Sequence, residues 1–370
     1  MKGAFQLKQI QQLTVMVRKH VFIAGVLLTA LSAQAQTAVT GITYGTLVDN
    51  ANQTTGGVTY LNRDRAVSTV TTALGNYRFD GPLANNVYFR RNTDSNANGT
   101  PNQTGATGDN PNNTTLIYQV NGSNQDMGDY QASAEQIFLD SNLYSGIRNP
   151  FANGAGTAAN SNVERIDFSF SGGYTVQASD ALVFFDVENA GNFGDGFRIA
   201  AYTAVGTVNG AANAPTTYAN TGLMVPADSF GGPINNPEGT ASSTYYRSTF
   251  TNGDNLSGTA SGTASSGTLN LVGILIRFSD LGISAGTTIY GYSLMAGDVA
   301  PASAANLVNW NNATYYPTNT DPAGYGNMDF MGFGAQISRP VPEPSTYGAI
   351  LLGLTVAFFG WRRRVSVPAA

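Results

Sequence analysis

The chain of 370 residues has a formal net charge of −5, 42% apolar side chains and no cysteine, so no disulfide holds it and a hydrophobic core must. All three lysines (Lys2, Lys8, Lys19) and the single histidine (His20) fall in the first 35 residues. Residues 36–340 therefore hold 11 arginines against 18 aspartates and 4 glutamates, a net charge of −11 with no Lys, His or Cys. That composition excludes Ser-His-Asp and Cys-His catalysis, the usual zinc, copper and iron ligand sets, and lysine Schiff-base or Walker-type chemistry. It also argues against nucleic acid or an anionic membrane surface as a partner of the body, because no basic stripe is present to neutralise phosphates.

The first 35 residues read as a secretory signal helix. Arg18 and Lys19 supply the positive region, Val21 to Leu31 the apolar run, and Ala33-Gln34-Ala35 the small-x-small cleavage site before Gln36. The Sec translocon and signal peptidase are the partners this implies. Either Met1 or Met16 can serve as the start, since Met16-Val17-Arg18-Lys19-His20 is itself an orthodox beginning.

From Gln36 to Pro340 the chain is rich in Gly, Asn, Thr, Ser and Tyr, with short apolar runs between polar turns. This pattern predicts an all-β body, a β-sandwich or jelly-roll-like fold with long Asn/Gly/Thr-rich loops. Candidate strands in chain order are 40–48, 67–74, 87–91 and 115–120, then Ile166-Asp167-Phe168-Ser169-Phe170 with its period of two. Further candidates are 181–187, 196–205, 269–278 and 287–294. The run from Leu269 to Ile276 is apolar on both faces in part, which marks a central strand. At 132–143, Gln136, Leu139 and Leu143 sit at helical spacing, although a strand through Ile137 and Phe138 fits nearly as well. Long surface loops are predicted over 92–113, 206–221 and 254–267, where too little apolar surface is available to offset ordering.

Few residues of the body invite a chemical reading. Asp94-Ser95-Asn96-Ala97-Asn98-Gly99 places Asp94, Asn96 and Asn98 as a candidate calcium loop, with oxygen ligands at alternate positions and Gly at the sharp turn. Gly105 stands where the closing Glu belongs, so calcium is a possible cofactor only by another loop path, through Asp109. Asp186 and Glu188 lie two apart on a strong strand and share one face. That is the minimum for a carboxylate-dependent glycoside hydrolase. Since the strand there runs into Asn189-Ala190-Gly191-Asn192, both are expected to be solvated turn acids. Asp195-Gly196 and Asp80-Gly81 read as turns. Tyr245-Tyr246, Trp310 and Tyr315-Tyr316-Pro317 are candidate contact rings, most of them expected to pack in core or loops.

The tail is the most informative stretch. Val341-Pro342-Glu343-Pro344-Ser345-Thr346 precedes an apolar run from Tyr347 to Trp361, then Arg362-Arg363-Arg364 and a short tail, 365–370. The prolines force extended backbone and delay any helix until Ser345, which with Thr346 can cap it. The arginines are a membrane stop that stays cytoplasmic. The apolar run of 15 residues would span about 23 Å as a helix, short of a bilayer core of about 30 Å. A short span suits a transient transmembrane sorting helix better than a permanent anchor.

Residues 341–364 resemble the PEP-CTERM sorting domain of Gram-negative bacteria, down to the literal Pro342-Glu343-Pro344. The resemblance implies that exosortase, a membrane protease-transpeptidase, recognises the tail. It further implies a cell-surface or extracellular-matrix destination. The body from 36 to 340 matches no family by its residues. Its expected role is non-catalytic: structural, adhesive, or binding to protein or extracellular polysaccharide. The competing expectations are a secreted carboxylate-dependent hydrolase and a permanently anchored envelope protein.

Overall fold

Alternation along the strands decides how this body is layered. The computed structural model describes residues 36–46, 48–49, 51, 53–55, 58–64, 66–91, 114–121, 124–127, 134–139, 142–151, 163–188, 191–234, 242–250, 265–317, 320, 328–332, 334–342 and 355. Residues from Thr37 onward form one compact unit.

The unit is all-β. Its strands are β1 (Thr37–Tyr44), β2 (Val48–Asp49), β3 (Gln53–Thr55), β4 (Val58–Asp64), β5 (Val67–Thr72), β6 (Gly75–Arg78), β7 (Asn86–Arg91), β8 (Thr114–Asn121) and β9 (Asn124–Met127). A short helix, α1 (Ala134–Leu139), precedes β10 (Asn142–Ile147). Then come β11 (Val163–Thr175), β12 (Ala181–Glu188), β13 (Phe197–Val208), β14 (Ala211–Tyr218), β15 (Leu223–Val225) and β16 (Ser242–Phe250). The last are β17 (Ser265–Arg277), β18 (Thr288–Ala296), β19 (Phe330–Gly332) and β20 (Arg339–Pro340), with a 3-10 turn at Ala304–Leu307.

Two sheets result. The smaller runs β14-β13-β18-β11-β7, with β15 beside β13. The larger runs β2-β4-β9-β8-β10-β19-β12-β17-β1-β5-β6-β20, with β3 beside β4. In the larger sheet β16 pairs β17 through 242–247 and β8 through 245–250, so β8-β10-β19-β12-β17-β16 close on themselves. The sheet curls into a partial barrel, which covers edges that would otherwise be open. The central place predicted for the apolar run 269–276 is observed, since β17 pairs β12, β16 and β1.

β12 shows the layering. Leu182 and Phe184 face the smaller sheet, in the core shared with Ile166, Phe168, Phe197, Ile199, Tyr292 and Leu294. Val183, Phe185 and Val187 face the other way, into a second core with Leu143, Leu271, Leu275, Met331, Val39 and Val70. Both rows are apolar because β12 is covered on both faces, with side chains alternating at a period of two. Aromatic edges seal the inter-sheet core. Phe184 meets Phe197 at 5.4 Å between ring centroids, and Phe168 stacks on Tyr292 at 4.8 Å.

The outer face of the smaller sheet is covered too. Arg165 and Asp167 alternate with the inward Ile166 and Phe168, yet both are fully buried. The segment 304–317 lies over them, held by Arg165 Nη1 donating to the Leu307 carbonyl at 2.6 Å and Trp310 Nε1 donating to the Arg91 carbonyl at 3.0 Å. Arg90 and Arg165 both pair with Asp167, and both guanidinium groups lie over the Trp310 ring. Trp310 and Tyr316 are therefore core residues that cap an ion-pair network.

Three expectations are corrected. The loop predicted over 206–221 is the hairpin of β13 and β14, turned by Asn209-Gly210 with φ of 49° and 78°. A two-residue turn with both φ positive matches the strand twist, and Asn-Gly is the sequence that adopts it. Polar composition hid the strand there, and register shifts break its alternation, with Ala214 and Tyr218 buried while Thr216 and Thr217 are both exposed. The helix predicted over 132–143 is confined to Ala134–Leu139, and Leu143 already belongs to β10. The third correction concerns the acids of β12 and the turn after it.

Candidate functional site

Asp186 and Glu188 continue the row of Leu182 and Phe184, so β12 carries both carboxylates into the end of the inter-sheet space rather than into solvent. Asp186 is fully buried and Glu188 is 4% exposed. The expectation of solvated turn acids is overturned. The physical reason is that the 193–195 loop, pinned by 228–230, and the backbone at Asp329 close on the end of β12, which a single strand's sequence does not reveal.

Asp195, read from sequence as a turn residue, completes the group. One carboxylate oxygen from each of Asp186, Glu188 and Asp195 lies within 4.8 Å of the others. The loop holding Asp195 is fixed from outside. Asp228, at a φ of 58°, accepts from the Phe193 amide at 3.0 Å and donates its own amide to the Gly194 carbonyl at 2.7 Å. Gly194 has a φ of 92°, and a Cβ there would overlap the Phe230 ring.

Backbone amides satisfy Asp186. Its Oδ1 accepts from Val187 at 2.8 Å and Asp329 at 3.0 Å, and its Oδ2 accepts from Asp195 at 2.9 Å. The Asp329 carboxylate in turn accepts from the amide of Asn149, which sits at a φ of 45°. One buried carboxylate thus ties together β12, the 191–196 loop and the start of β19.

The electrostatics follow from this crowding. Burial, then Glu188, Asp195 and Asp329, push the Asp186 carboxyl well above the usual carboxylate range. Burial, then Glu188, Asp329 and Asp228, push Asp195 up to about 8. Asp195 and Glu188 are hydrogen-bonded side chain to side chain, which requires one proton between them. At neutral pH the cluster is a proton-sharing group. When deprotonated, its oxygens are a donor set for a hard divalent cation.

The calcium loop read at Asp94, Asn96 and Asn98 lies outside the described residues. So do Ala33 and Ala35 of the cleavage site, Glu343 to Thr346, and Arg362, Arg363 and Arg364. Among the described residues no helix is long and apolar enough to cross a membrane. Tyr245 and Tyr246 belong to β16.

The tail leaves the body from a fixed point. β20 pairs β6, and the Val341 amide donates to the Asn76 carbonyl at 2.7 Å. Pro342 is exposed. Residues 340–364 match the family model of the PEP-CTERM protein-sorting motif, and that motif implies export and C-terminal processing by exosortase. No curated protein and no solved structure matches the chain.

Proposed function

We propose that this is a non-catalytic protein of the cell surface or extracellular matrix, whose β-sandwich body serves a structural, adhesive, or glycan- or protein-binding role. The observation that carries the reading is the sorting motif at 340–364, joined directly to a folded all-β body. In this reading the Sec translocon and signal peptidase act at Ala33-Gln34-Ala35 and release Gln36. The helix after Thr346 enters the membrane transiently, and Arg362 to Arg364 hold its end in the cytoplasm. The non-catalytic part is supported by a body without Lys, His or Cys, and by the acids of β12 being engaged with backbone amides and each other.

The test is replacement of Pro342-Glu343-Pro344 by three alanines. Hydrophobicity and charge of the helix are unchanged, so membrane insertion proceeds, but the enzyme loses its extended recognition segment. The variant accumulates as a longer membrane-bound species, while wild type leaves the inner membrane without its arginine cluster. Wild-type protein with Trp361 to Arg364 still attached in the exported pool would overturn the reading in favour of a permanent anchor.

A further inference from the structure

The last strand is zipped to the body up to the residue before the first motif proline. The Ile337 carbonyl accepts from Gly81, and the Ile337 amide donates to the Pro82 carbonyl at 3.1 Å. Ser338 exchanges both backbone bonds with Ala181, at 2.8 and 3.0 Å. β20 then pairs Arg339 with Arg78 and Pro340 with Tyr77, and Val341 closes onto Asn76. A charged latch holds this strand from the side. Arg339 Nε donates to Asp180 Oδ1 at 3.1 Å, and Arg339 Nη2 donates to the Tyr174 hydroxyl oxygen at 2.9 Å. Tyr174 donates to Asp180 Oδ2, which also accepts from the Gln177 amide at 2.7 Å. Asp180 is 1% exposed, so its charge is poorly screened and the bonds to it are of the strong, charge-assisted kind.

Only five residues, Pro342 to Thr346, separate Val341 from the apolar run that begins at Tyr347. Fully extended, that stretch reaches roughly 20 Å. A membrane enzyme that must thread the motif through its active site therefore meets a folded sheet at once on the motif's N-terminal side.

We propose that β20 is a gate on C-terminal processing: the sorting enzyme gains full access to the motif only when 339–341 peel from β6, and the Arg339–Asp180–Tyr174 latch sets how often they do. This rests on the sorting reading above. It makes the folded body, and not the motif alone, a determinant of processing rate. Arg339 acts here as a positioning residue, through the strand it holds.

Pulse–chase labelling of the full-length precursor in cells that contain exosortase tests the gate, scored as the half-time for conversion of precursor to processed protein. An eight-residue Gly-Ser linker between Val341 and Pro342 removes the crowding without touching the latch. It shortens the half-time while the thermal midpoint of the processed body stays that of wild type. Arg339→Ala shortens it by roughly tenfold, the worth of one charge-assisted hydrogen bond. The pair Arg78→Cys with Arg339→Cys loses the same arginine but locks the strand, since these residues face each other across the ladder and the chain has no other cysteine. When oxidised, that variant is processed more slowly than wild type, and reduction reverses the effect. If wild type is processed but neither the linker nor the locked pair changes the half-time, the gate is overturned and the tail is taken before β20 docks. If wild type is never processed, the sorting reading itself has failed.

Discussion

Replacing Asp195 by Asn flattens the pH dependence of stability between pH 5 and 8. Asp195 holds its proton to about 8 in the folded protein because of burial, Glu188, Asp329 and Asp228. In the unfolded chain it releases the proton near the ordinary value of about 3.9. Between those limits the folded state binds more protons than the unfolded one, so stability falls as pH rises. The contribution is fully present below about pH 4 and is lost as pH climbs through about 8. One such proton is worth about 1.4 kcal/mol per pH unit at most. Asp195 is part-exposed and shares its proton with Glu188, so solvent screening brings this to about 1 kcal/mol per unit. From pH 5 to 8 the wild-type body is expected to lose about 2–3 kcal/mol. Asn keeps the shape, and its amide can donate to Glu188 in place of the shared proton. Asp186 retains its own raised value, which leaves a residual slope in the variant. Urea denaturation of the processed protein at four pH values, followed by circular dichroism, measures both slopes. Wild-type stability that is flat or rising over this range, or an unchanged slope in the variant, would refute the proton-sharing geometry.

Other substitutions probe the layers. Gly291→Ala places a Cβ onto the Phe168 carbonyl oxygen and the Tyr202 hydroxyl between two central strands, and is expected to cost more than about 4 kcal/mol and abolish soluble expression. Arg165→Ala leaves Asp167 buried with Arg90 as its remaining arginine and strips the anchor from 304–317, at an expected cost of about 3–5 kcal/mol in the urea midpoint. A loss under about 1 kcal/mol would show that the network is dispensable. Amino-terminal sequencing of the exported protein is expected to read from Gln36, and a retained Met1 or Met16 would exclude the cleavage site at Ala35.

The sequence by itself determined the fold class and displayed the sorting motif. Period-two alternation at 166–170 and the apolar runs at 181–187 and 269–278 are local signals, because a strand's neighbours on both faces impose its side-chain pattern directly. The sorting motif is linear and is matched as such, since an extended Pro-Glu-Pro segment needs no tertiary partner to be read. Tertiary structure alone decided where polar groups ended up. Asp186 and Glu188 were legible as same-face acids, but the Asp186 carboxylate is closed in by the 193–195 loop and by the backbone at Asp329, just before β19, a strand the sequence did not show. Asp195 joined them only because Asp228 and Phe230, more than thirty residues away, pin its loop. Arg165 carries no local sign of burial, and it is dry because a segment some 140 residues later in the chain folds over the sheet. The Asn209-Gly210 hairpin was the one local signal within reach and passed over, masked by Ala and Thr. Whether a residue's face of a strand is wet or dry is set by what packs on it, and that partner is chosen by topology, which no local window of sequence contains.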